Sequence, residues 1–77
     1  MLDINTAKLV KSAINKHFGM EIIDLENACR MQIVPVNTKD SGATILAIQH
    51  ADMTILVKLQ FNETLGVYVR SVKVQVW

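Results

Sequence analysis

The residues able to do chemistry are few and widely spaced. His17, His50 and Cys29 are the only imidazole and thiol groups in the chain. No pair of them has the Cys-x-x-Cys or His-x-x-x-His spacing that lets two donors reach one ion from a single turn or helix. His17 and Glu21 stand four apart, but Gly19 between them favours a helix stop. Ser41 and Cys29 are the notable nucleophiles. Ser41 lies in the polar run Asp40-Ser41-Gly42 and lacks the Gly-x-Ser-x-Gly elbow that holds a catalytic serine strained and exposed. Arg30 is the kind of neighbour that activates a thiol, yet alternation with Met31 and Ile33 turns Cys29 inward, where it is inert. Glu21, Asp24 and Glu26 are too close in sequence to face one another across a cleft as acid and base. Gly19, Gly42 and Gly66 are too far apart to build a phosphate-cradling loop. The expectation is a chain with no catalytic site, no metal and no cofactor.

Two surfaces remain for binding. The first is basic. Lys8, Lys11 and Lys16, with Asn5, Ser12 and Asn15, populate the outer side of the first helix, a mix suited to contacting phosphates. Only four aromatic residues are present (Phe18, Phe61, Tyr68 and Trp77), and two of these read as core. A sheet that binds single strands displays aromatics beside Lys or Arg, a pattern met here only by Tyr68 with Arg70 and by Lys73 with Trp77. Nucleic-acid binding through the lysine face is therefore the alternative reading. The second surface is apolar and depends on how the elements are arranged.

From Asp3 to Phe18 the spacing predicts a helix. Asp3 serves as N-cap, Leu2 packs back on Ala7 as a hydrophobic staple, and Ala7, Val10, Ala13, Ile14, His17 and Phe18 share one face. Lys16 and His17 suit the last turn, and Gly19 supplies the left-handed stop. Residues 20–28 read either as a short second helix, the choice preferred here, or as an extended connector. After Cys29 the period becomes two. One strand runs from Met31 and Ile33 to Pro35, which is tolerated at a strand end. An exposed loop follows over Asn37–Gly42. Further strands run over Thr44–Gln49, Thr54–Phe61 and Val67–Trp77, joined by turns at His50–Asp52 and Asn62–Gly66. Short connections require antiparallel neighbours. The predicted fold is one α+β domain over 1–77, a two-layer sandwich with the N-terminal helix on a four-stranded antiparallel meander. In the last strand Val67 and Val69 share a face, but Val72, Val74 and Val76 slip out of phase at Arg70-Ser71. A β-bulge there is preferred over a flat strand with valines on both sides.

Composition then sets the functional reading. Hydrophobic residues make up 51% of the 77 and charged residues 19%, with a formal net charge of +1. This excludes a disordered tail and a free-standing polycation. No apolar run is long enough to cross a membrane. The chain opens without a secretory or transit signal and its lone cysteine cannot form an internal disulfide, so a cytoplasmic setting is expected. Opening on Met without a visible tag, it also reads as a complete small product of bacterial or viral type. A chain this short buries only about 60% of its unfolded surface, so the apolar surplus needs an address. The sheet face away from the helix, with Leu46, Ile48 and Leu56, and the terminal strand, with Val72, Val74, Val76 and Trp77, are expected to carry it. A long, β-branched edge strand without proline templates pairing with another strand, and a terminal tryptophan suits an interface hot spot. The expected function is a small non-enzymatic protein-binding module: a regulator, adaptor, assembly factor or phage-type inhibitor of a larger protein, acting as a homodimer.

Overall fold

The computed structural model describes residues 2–34 and 42–76. Helix α1 (Ile4–Phe18) is followed by a short helix α2 (Leu25–Cys29) and by strands β1 (Gln32–Val34), β2 (Ala43–His50), β3 (Met53–Asn62) and β4 (Gly66–Val76). The strands form one antiparallel sheet in the order β1-β2-β3-β4. Both helices pack on one face of it, so the chain is the expected α+β sandwich. The strand expected to run to Trp77 is described only as far as Val76. Most of the expected Asn37–Gly42 loop, Ser41 included, lies outside the described residues.

The ends of α1 follow from its capping residues. The Asp3 carboxylate accepts the Thr6 backbone N–H at 3.3 Å, and Gly19 at φ 70° donates its N–H to the Lys16 carbonyl. Ala7, Val10 and Ile14 are buried, while His17 turns outward and sets its ring edge-on to Phe18 at 5.3 Å. Hydrogen bonds from the Thr6 side chain and then its backbone N–H hold the Asp3 carboxyl below its ordinary value. A folded value below the unfolded one means the cap contributes fully above the unfolded value and is lost as pH falls through the folded one. Acid should therefore loosen the first turn of α1. The protection of the Thr6 amide, taken against its intrinsic exchange rate at each pH, should fall below the ordinary aspartate range, and Asp3→Asn should remove that pH dependence.

Residues 20–24 and 25–29 divide the two readings of the ambiguous stretch. The first five form an irregular connector and the next five form α2, capped by the Asp24 carboxylate accepting the Asn27 N–H at 2.8 Å. The connector is tied down from α1. Asn15 Oδ1 accepts the N–H groups of Ile22 (2.9 Å) and Ile23 (3.1 Å), and Asn15 Nδ2 donates to the Ile23 carbonyl (3.0 Å). This strap sets Ile23, 2% exposed, into the core with Ala28 and Met31.

The register shows which side of each strand is buried. Leu46 faces Val57, and Ile48 faces Ile55. In β4 the pairing shifts between Lys58, opposite Ser71, and Leu59, opposite Val69, which leaves Arg70 as the extra residue. This is the expected bulge. It brings Val67, Val69, Val72, Val74 and Val76 onto one face, the face that the helices cover. Leu46 (1% exposed), Ile55, Val57 and Leu59 are the sheet's share of the core.

The β2–β3 hairpin turns through Ala51 and Asp52, with Ala51 at φ 56°. A positive φ at the first of two turn residues favours glycine in twist-matched hairpins. The left-handed region costs an L-residue about 1–2 kcal/mol, and glycine returns part of this as unfolded-state entropy. Ala51→Gly should therefore raise stability by about 0.5–1 kcal/mol, measurable as a later urea midpoint at unchanged slope.

Candidate protein-binding surface

An open four-stranded sheet has two edges, and these two differ. β1 is three residues long, which blunts its edge. β4 is eleven residues long, contains no proline, and lies at the other edge, with β3 its one neighbour among the described residues. Its two faces are chemically distinct once the bulge is counted. Valines at 67, 69, 72, 74 and 76 line the helix side, and Tyr68, Ser71, Lys73 and Gln75 line the opposite side. Arg70, at the bulge, donates from its guanidinium to Gln60 Oε1 at 3.3 Å. Val69 and Val72 pack against the core, while Val67 is 47% and Val76 73% exposed. The strand thus exposes apolar side chains near both ends and cations in between.

Several residues expected on a free outer face belong elsewhere. Leu46 is buried and unavailable to a partner, and Ile48 and Val72, half-buried, pack against the core on the helix side. Val74 shares that inner face, opposite Ile55, and is half-buried. Val76 is also on the inner face but emerges at the strand's end. Leu56 does stand on the outer face, half-buried, opposite Ala47 and Lys73. Trp77 lies outside the described residues. The continuous run Ile45-Leu46-Ala47-Ile48 is apolar at both parities, so alternation could not choose its inward side; pairing with the alternating β3 does.

The real outer face is mixed. Val34, Ile45, Ala47 and Leu56 are half-buried neighbours across β1, β2 and β3, bordered by Gln32, Gln49 and Thr54. No Asp or Glu stands on any described strand: the charged strand residues are Lys58, Arg70 and Lys73. The carboxylates belong to caps, helices, connector and turns, as at Asp3, Glu21, Asp24, Glu26, Asp52 and Glu63.

Reading by spacing alone missed a second apolar region. Ile33 (68% exposed), Phe61 (56%) and Val67 border a groove of about 230 Å³ with Leu2, Thr6 and Leu59. Phe61 pairs with Val67, continuing the inner face beyond the start of α1. Relative lengths supplied a signal. A helix of 15 residues spans about 22 Å and a strand of ten about 33 Å, so one helix leaves an end of the sheet uncovered.

The basic face of α1 is less free than its composition suggested. Lys8 and Lys16 are exposed, but Lys11 Nζ lies 3.5 Å from Glu21. Asn15 spends both ends of its amide on the connector. Lys8, Lys11, Ser12, Asn15, Glu21 and Leu25 together line an open groove of about 480 Å³ between α1 and the connector. It contains a carboxylate beside its lysines, a poor match for phosphate.

Cys29 ends α2, half-buried, and its carbonyl accepts the Leu2 N–H at 3.1 Å. No three His, Cys, Asp or Glu side chains converge among the described residues, and no described helix is long and apolar enough to cross a membrane. Comparison with protein-family models, with curated proteins and with solved structures finds no match for the chain.

Proposed function

We propose that this chain is a small non-enzymatic protein-binding module, working in the cytoplasm as a regulator, adaptor or inhibitor of a larger protein, with the open edge of β4 as its docking element. The observation that carries this reading is the edge itself: eleven residues without proline, with exposed valines near both ends. Unpaired backbone groups along such an edge are a template for an incoming strand. Exposed Phe61 and Leu65 beside the same strand add apolar contact area.

A homodimer through paired β4 edges is a second use of the same element, favoured by the terminal valines and opposed by the cations between them. Nucleic-acid binding through α1 is the weaker alternative, because the Lys11–Glu21 pair and the Asn15 strap remove two of its contacts.

Val67→Lys with Val76→Lys tests the reading. Lysines at exposed edge positions block strand addition and should leave stability within about 0.5 kcal/mol. Capture of extended peptides should weaken, and so should self-association in sedimentation velocity to whatever extent the unaltered chain shows it. Undiminished peptide capture by a folded double variant would remove β4 from the account.

A further inference from the structure

We infer that the β4 edge takes an acidic, extended segment of a partner protein, one that alternates carboxylate and apolar side chains. The inference rests on β4 being the docking element and names what docks there. A strand added to an edge aligns its side chains with those of the neighbouring strand, face by face. On the helix side it would meet Val67, Val74 and Val76, and on the other side Arg70, Ser71 and Lys73. Its inward positions should therefore be apolar and its outward positions negative. Arg70 and Lys73 are both exposed, and the hydrogen bond from Arg70 goes to a neutral amide, that of Gln60. No carboxylate stands on any described strand to offset them.

The same charges select against a second copy. Two β4 strands paired antiparallel about their middles bring Arg70 and Lys73 of one copy beside Arg70 and Lys73 of the other. Like charges across a strand pair are destabilising and opposite charges stabilising. A nucleic acid offers negative charge too, but no apolar row for the valines. Bases bound on a sheet also need more stacking surface than Tyr68 provides.

The test is amide-resolved NMR of the labelled full chain, titrated at low salt with two synthetic peptides matched in length to β4. One alternates Val or Thr with Glu, the other Val or Thr with Lys. A single-stranded oligonucleotide is the third probe. The acidic peptide should move β4 amides and bind about tenfold more tightly than the lysine peptide, as two cross-strand charge pairs would give. Arg70→Glu with Lys73→Glu should invert that preference, and Arg70→Gln with Lys73→Gln should erase it. Equal binding of both peptides, or a preference that survives the reversal, overturns the inference while leaving the edge as the docking element. If neither peptide moves β4 amides, the edge reading itself fails. Tighter binding of the oligonucleotide than of the acidic peptide at β4 would make the partner a nucleic acid and overturn the assignment to protein.

Discussion

Leu46→Ala should lower the unfolding free energy by about 3 kcal/mol, seen as an earlier urea midpoint at unchanged slope. Leu46 is 1% exposed and packs with Val57 and the buried face of the helices. Truncating it removes buried methyl groups and leaves a cavity that a well-packed core fills only in part. A chain of this length is stabilised by about 4–12 kcal/mol in total, so the loss would be a large fraction. Leu56 is the matched control, one residue from the buried Ile55 and Val57 but on the opposite face. Leu56→Ala should cost less than half as much. Because a one-residue change of register exchanges the two faces of a strand, the pair of variants tests the sheet's phase as a whole. Equal losses would mean that β2 and β3 are paired one residue out, and a larger loss at Leu56 that the helices cover the opposite face of both strands.

Asn15→Ala should cost about 2 kcal/mol. Three hydrogen bonds vanish together, leaving the N–H groups of Ile22 and Ile23 and the Ile23 carbonyl without their side-chain partner in a part-buried setting. Losing the strap also releases Ile23, whose side chain is in the core. Asn15→Asp should fall between the two, since a carboxylate still accepts both N–H groups but cannot donate to the carbonyl. Ser12→Ala, one turn away and exposed, should be close to neutral. Thermal or urea unfolding of the three variants measures this ranking. The lysine-face reading requires instead that Asn15→Ala weaken oligonucleotide binding while stability holds.

These two variants mark where the chain's own pattern was sufficient and where it was not. Capping at Asp3 and Gly19, the change of period after Cys29, and the phase slip at Arg70-Ser71 are local signals, and each yields the element it implied. The side of β2 that faces inward is not local. Ile45 to Ile48 are all apolar, and only pairing with β3 turns Leu46 and Ile48 to the core side. That is why residues whose spacing suits a partner surface pack under the helices instead. Asn15 looked like a helix-surface amide because its partners, Ile22 and Ile23, lie across a chain reversal that periodicity does not describe. For the surface itself, spacing gave a long terminal edge strand. The segregation of charge is a property of faces: Arg70 and Lys73 share the side of β4 opposite the valines only because the bulge resets the strand's phase.

The most direct measurement of the central claim is paramagnetic broadening of the chain's amides by the acidic, alternating peptide carrying a nitroxide at its midpoint. Docking on the β4 edge predicts the strongest broadening at β4, falling away through β3 and β2 to the least at β1. Broadening centred on α1 or on β1, or spread evenly over the molecule, would contradict it.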